Sequence, residues 1–368
     1  MTYRARATLG TAAVAAAIVA FGPGLAKGQN RQVPAETTAA ARKNPGWVPP
    51  RTAWGHPDLQ GIWTSDDMRS VPLQRPESFA GRNSLTPEEF TRRASGDEGS
   101  RDRAVNRETV LRNEWGVRTF GYASLVTDPP DGRVPPMTPQ ALGRRAARDQ
   151  GTFGPGPFDS PDDFTLYDRC ITRGVIGSLL PVLYGNGLRI VQTPEAVIIS
   201  YEMIHETRIV PLDGRPHIGS NIRQYLGDPR GHWERNTLVV ETTNFTDGTS
   251  IGANGNGVRH SEAMRLTERF TRIDPEMIDY EATIDDSVTY VRPWTIRLTI
   301  ASQPGYQLYE YACHEGNGAV KYALSADRAY DQAVAEALAK GLEPPRRDTG
   351  NPYGPPAPGV RPTIISEQ

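Results

Sequence analysis

The chain has 368 residues, with 41 Lys plus Arg against 43 Asp plus Glu and a formal net charge of −2. That balance excludes both the basic field that a nucleic-acid backbone demands and an acidic tail. With 36 Gly, 32 Pro and two Cys, the composition describes a turn-rich chain rather than a disulfide-dense small scaffold.

Residues 1–28 read as a secretory signal. Arg4 and Arg6 form a basic start, Leu9 to Phe21 an apolar or small-residue core, and Gly24 with Ala26 the small residues of a cleavage site. The expectation is a periplasmic or secreted protein with no membrane span after cleavage. Residues 29–58 are polar and Pro-bearing, in the manner of an extended linker. "LQGIWTSD" then supplies a short strand at the head of a mostly irregular stretch, 59–160. Two helices are expected within it. Each opens on a Thr-Pro pair, Thr86-Pro87 and Thr138-Pro139, with Thr as cap and Pro in the first turn.

From residue 187 the pattern changes. "GLRIVQT", "AVIISYEM", "ETRIVPL", "IRQYL", "NTLVVETT", "MRLTERFTRI", "MIDYEATID", "PWTIRLTI" and "QLYEYACHE" are each rich in β-branched or aromatic residues and bounded by turn signals. In "MRLTERFTRI", Met264, Leu266, Glu268, Phe270 and Arg272 share one face. Asp228-Pro229-Arg230-Gly231 suits a type I turn. Short connections favour an antiparallel meander, and a meander of this size leaves open edges unless it curls. One helix is expected from a Ser325 cap to Gly341, and residues 342–368 form a Pro-rich tail. The expected fold is therefore mainly β: a curled antiparallel sheet or barrel over 161–341, a C-terminal helix and an irregular Pro-rich N-terminal region.

"HPDLQGIW", "DPPDGR", "LYDRCITRG", "TLVVETTNF" and "YACHEGN", in this order, resemble a family of exported bacterial proteins of unassigned function. The resemblance runs from about residue 52 to 325 and implies no particular activity. In outline the chain is also similar to lipocalin-type barrels, through Gly61-Ile62-Trp63 on an early strand, the meander and the late helix. It departs from them by its long insertion after the Gly-x-Trp strand. Whether that strand closes a barrel is left open by the sequence.

Cys170 and Cys313 are the two cysteines, and in an oxidising compartment they read first as a disulfide. The competing readings are two unlinked cysteines, or a nucleophilic Cys313 beside His314. Neighbours on a strand point to opposite faces, which places His314 badly as a base for that thiol. None of the six histidines has HExxH spacing, so no closed metal site is expected; an open one gathered from His205, His217 and His314 is not ruled out by spacing. His205 shares strand parity with Val197, Ile199 and Tyr201, with Glu202 and Glu206 on the opposite face. Two carboxylates four apart on a strand stand roughly 13 Å from one another, too far for a glycosidase pair. A disulfide brings Asp168, Arg169 and Arg173 toward His314 and Glu315, a polar rim where arginine can grip a carboxylate or similar anion. Phosphate-loop, Rossmann and Gly-x-Ser-x-Gly signatures are missing from the sequence, which disfavours nucleotide chemistry and the common serine hydrolases.

Two functions are consistent with these residues. One is an exported protein that binds a small, partly apolar ligand in a barrel pocket, with Arg173, Tyr201 and Asp168 as contacts. The other is a lyase, isomerase or hydrolase using His205, His217 or His314 with Glu202 or Glu315. No cofactor is specified by the sequence.

Overall fold

The computed structural model describes residues 47–106, 116–148, 158–255, 257–303 and 305–346. The signal segment 1–28, residues 29–46 of the linker and residues 347–368 of the tail lie outside the described residues. The described residues belong to one unit, Ala35–Gln368.

Strands are β1 (Gly61–Thr64), β2 (Val126–Asp128), β3 (Gly187–Gln192), β4 (Ala196–Tyr201), β5 (Thr207–Pro211), β6 (Asp228–Glu234), β7 (Thr237–Thr243), β8 (Ser250–Ile251), β9 (Val258–Arg259), β10 (Arg265–Asp274), β11 (Met277–Asp285) and β12 (Trp294–Ala301). Helices are α1 (Pro87–Asn106), α2 (Pro139–Arg148) and α3 (Ala319–Ala339). The main sheet is antiparallel, in the order β5-β4-β3-β1-β12-β11-β10-β7-β6, with β2 added beside β12; β8 and β9 form a separate ribbon.

Period-two alternation builds this sheet. In β11, Ile278, Tyr280, Ala282 and Ile284 are fully buried while the residues between them are not, and β12 buries Trp294, Ile296, Leu298 and Ile300. Burying each such large side chain stabilises the fold by about 1.5–3 kcal/mol before entropy is subtracted. In β10 the register shifts between Arg272 and Asp274, and this turns Ile273 inward in place of Arg272. The freed Arg272 lies over the Trp63 ring, 5.2 Å from its centroid.

The Gly-x-Trp strand is central. β1 pairs with β3 through Gly61↔Ile190 to Thr64↔Gly187 and touches β12 at Thr64↔Ala301. It therefore joins two groups of antiparallel neighbours, β3-β4-β5 and β6-β7-β10-β11-β12. Gly61 adopts φ +141°, and a Cβ there would meet the Trp63 indole at 3.4 Å. The indole Nε1–H donates to the Leu59 carbonyl at 2.9 Å. The sheet curls far enough that Arg208 on β5, one end strand, bonds Glu268 on β10 and Thr242 on β7. Among the described residues no ladder joins β5 to β6, although a Cβ on Gly231 of β6 would lie 2.7 Å from Val210 of β5.

Five local expectations differ from the structure. "IRQYL" is a turn with one bridge, Gln224 to Phe245, and no strand. Asp228–Gly231 is the start of β6; the Asp228 side chain serves the preceding loop, and Pro229 is tolerated because β6 is an end strand. β4 stops at Tyr201 because Ile204 and His205 take left-handed φ of 64° and 45°. Residues 306–317 are irregular, with turns from Cys313 to Gly316, so the opposite-faces argument for Cys313 and His314 loses its strand. Finally, α3 begins six residues before Ser325, whose hydroxyl bonds back to the Lys321 carbonyl at 2.8 Å.

Candidate functional site

Four residues at the entry to β3, Tyr184-Gly185-Asn186-Gly187, meet a different functional group at each position. The Gly185 carbonyl accepts from Arg173 Nη1 at 3.1 Å. Asn186 Nδ2 donates to Asp66 Oδ1 at 2.6 Å. The Gly187 carbonyl accepts from the Glu202 N–H at 2.8 Å, and a Cβ on Gly187 would lie 2.5 Å from Glu202 Oε2. A side chain at this position would push that carboxylate aside. The Tyr184 ring stacks near Tyr311 at a centroid distance of 6.3 Å and 22° between planes.

The disulfide sets this corner. Cys170 and Cys313 are bonded, with Cα atoms 5.6 Å apart across 143 residues of sequence. The bridge holds the 165–174 turn against the 306–317 segment, and so holds Tyr167 and Arg173 near Tyr311. Its presence fits an oxidising, extracellular or periplasmic compartment, and it removes the catalytic-thiol reading of Cys313. Among the described residues no helix is long and apolar enough to cross a membrane.

Arg173 is the least expected member. It is 1% exposed, and its Nε and Nη2 have no hydrogen-bond partner. Its charged and titratable neighbours are the phenols of Tyr167, Tyr184 and Tyr311, with no carboxylate among them. Burial lowers its pKa to about 10, so it remains a cation at neutral pH. Burial also raises the pKa of Tyr167 and of Tyr311, with Tyr184 adding to the effect and Arg173 opposing it, and both phenols stay protonated. A buried cation facing neutral phenols is an electropositive socket.

Three carboxylates lie on neighbouring segments, each accepting at least one side-chain hydrogen bond. Glu202 is buried; it accepts from the Tyr306 hydroxyl and from the Tyr309 N–H at 3.2 Å. Glu206 accepts from Thr172 at 2.6 Å, and burial raises its pKa. Asp66 is 2% exposed, its Oδ2 lacks a partner, and burial raises its pKa to about 6 against the opposing hydrogen bonds of Thr64 and Asn186.

The residues singled out by sequence are distributed unevenly. Glu202, Arg173 and the two cysteines meet at this corner. His205 reaches it only by its edge: it is exposed, with Nδ1 3.0 Å from the Tyr311 carbonyl. Asp168 is occupied locally, accepting from the Thr165 hydroxyl at 2.7 Å. Arg169 pairs with Asp162 at 2.9 Å. His314 and Glu315 are solvent-exposed, so the expected ion-pair cluster with Arg173 does not form. His217 lies elsewhere, before β6, with Nδ1 3.0 Å from Asp228. Burial opposes the Asp228 charge, but the Ile218 N–H, Arg230 and His217 together hold its pKa below the usual value. The three histidines weighed for an open metal site are not gathered, and among the described residues no group of three His, Cys, Asp or Glu is placed to hold an ion.

Tyr201 is inside the curled sheet. Arg208 Nη1 donates to its hydroxyl at 3.3 Å and to Glu268 at 3.1 Å, Nη2 reaches the second Glu268 oxygen at 2.6 Å, and the Tyr280 hydroxyl donates to Glu268 at 3.1 Å. Both charged side chains are at most 1% exposed. Burial works against the Arg208 cation, but Glu268 beside it raises its pKa overall. The placement of Glu268 on the face of Leu266 and Phe270 was the sequence signal for this pair. For Asp66 and Tyr184 no signal stood out.

No family model matches the chain, and neither a search of curated proteins nor one of solved structures finds a match.

Proposed function

We propose that the protein is an exported binding protein that holds a small, partly apolar ligand at the disulfide-clamped corner of a lipocalin-like curled sheet. The observation that carries this reading is Arg173, a buried cation with two unpartnered N–H groups behind the half-buried rings of Tyr167, Tyr184 and Tyr311. Pockets for small molecules combine aromatic walls with a few convergent polar groups. The resemblance to an exported bacterial family and the disulfide support the compartment. The neutral fluorophore 1-aminoanthracene tests it: saturable one-to-one binding that weakens in Tyr184→Ala and Tyr311→Ala is expected. Failure of the folded protein to bind the fluorophore, together with no small molecule in its mass spectrum after release from the exported fraction, overturns the reading.

A second reading, an enzyme, is favoured by the His217–Asp228 contact. Asp228 fixes Nδ1 and leaves Nε2 as the base, the division of labour found in histidine general bases. Its test is the fate of a released small molecule incubated with fresh protein. Conversion that disappears in His217→Gln supports catalysis, and recovery unchanged returns the assignment to binding.

A further inference from the structure

Arginine recognises flat anions through two parallel N–H groups, and the two groups left over on Arg173 form such a pair. Nη1 is committed to the Gly185 carbonyl; Nε–H and Nη2–H point the same way along the guanidinium edge and have no partner. An edge of this kind accepts the two oxygens of one carboxylate. We infer that the ligand is a small monocarboxylate, seated bidentately on the Nε and Nη2 edge of Arg173, with the hydroxyls of Tyr167, Tyr184 and Tyr311 around its oxygens. This rests on the ligand-binding reading above and specifies its chemistry.

Three observations narrow the class to a monoanion. The charge available is a single cation, because the other titratable groups around Arg173 are phenols. The Tyr167 and Tyr311 phenols, hydrogen-bonded to one another and to Tyr184, remain protonated and bring no negative charge of their own to the site. Glu202 and Glu206 stand on the adjoining turn, held by the hydroxyls of Tyr306 and Thr172, and bring no second positive charge that a dianion such as a phosphate monoester would need. The rest of the ligand is then apolar or aromatic, to match the paired Tyr184 and Tyr311 rings beside Arg173. Asp168, suggested by sequence as a ligand contact, is spent on Thr165 and takes no part.

Head group alone should decide affinity. Phenylacetate, phenylacetamide and phenyl phosphate share a ring and differ in charge and shape, and each is titrated calorimetrically against the mature protein and for displacement of 1-aminoanthracene. The expected result is phenylacetate binding at least about tenfold tighter than both others, the scale of one charge-assisted hydrogen-bond pair. Arg173→Lys keeps the charge but loses the fork, and should shrink the preference for carboxylate over amide to threefold or less. Tyr311→Phe keeps the ring and tests the hydroxyl separately, with an expected weakening of a few-fold for phenylacetate and none for phenylacetamide. Its folding does not depend on the buried cation, so it decides the matter if Arg173→Lys fails to fold. Equal binding of acid and amide, or tighter binding of phenyl phosphate, overturns the carboxylate inference while leaving ligand binding intact. No binding of fluorophore or of any of the three ligands overturns both.

Discussion

Asp66 keeps a carboxyl group where water cannot reach it, and its folded-state pKa of about 6 lies above the ordinary 3.8. The ionised form is therefore the destabilising one. Stability from this group is fully present below about pH 4 and is lost as pH rises through 6, at about 3 kcal/mol for two units. Asp66→Asn retains an oxygen for the Asn186 donor, so the variant should gain stability over the native chain at pH 7 and match it near pH 4. Urea midpoints measured across that range check this; a constant difference between the two proteins at all pH values would count against a buried, titrating Asp66. The Arg208–Glu268 pair makes the opposite case. Removing one partner, as in Glu268→Gln or Arg208→Met, strands a buried charge or donor and should cost about 3–5 kcal/mol. The double variant Arg208→Met with Glu268→Leu should recover much of that loss, which a double-mutant cycle reads directly. Sequence had set Glu268 among Leu266 and Phe270. Its partner was invisible, because pairing between β5 and β10 depends on how far the sheet curls, and curl leaves no mark in a strand's alternation.

Among the elements, the 306–317 segment owes its place to contacts made with distant chain. The Cys170–Cys313 bridge closes a loop of 143 residues in sequence, worth about 4–5 kcal/mol in the chain-entropy model. Cys170→Ser and Cys313→Ser should each lose stability of that order, with the double variant no worse than either. Thermal unfolding with and without reductant gives the same comparison in the native chain. Gly187→Ala tests the other side of the corner. Its methyl would lie 2.5 Å from Glu202 Oε2 and 2.8 Å from the Tyr306 hydroxyl, so those groups must part. A loss of about 1–3 kcal/mol is expected, with increased exchange of the Tyr309 N–H that Glu202 now holds. Strands β3 to β5, β7 and β10 to β12 and the Thr-Pro helix starts were legible because each is written in local chemistry: alternation, caps and turn residues. The end of β4 was not. Ile204 and His205 turn left-handed without a Gly or Asn to announce it, beside the buried Glu202 and Met203. The start of α3 was missed because its N-cap, Gly318, has no side chain to announce it.

At the scale of the molecule, the sheet and α3 differ in how firmly they are held. α3 buries Leu324 alone, while Tyr322 and Leu338 are exposed by 70% and 61%. Its attachments to the rest include the Phe158 N–H donating to Asp327 at 2.5 Å. Limited trypsin digestion should therefore cut first at Lys321, Arg328 or Lys340 and leave residues 187–301 intact; early cuts inside β10–β12 would contradict the burial of those strands.

The position of β1 has a consequence for how the molecule is made. A chain delivered N-terminus first presents Gly61–Thr64 long before either neighbour exists, since Leu188 and Ala301 follow more than a hundred and two hundred residues later. Hairpins β10-β11-β12 and β3-β4-β5 can form as they emerge, but each keeps an edge open until it docks on β1, β3 along Gly61–Thr64 and β12 at Thr64. Joining the two halves closes the longest loop of any pairing in the sheet, and so carries its greatest loop-closure cost. During that wait, the bare edges of β3 and β12 are where one copy is most prone to pair with another.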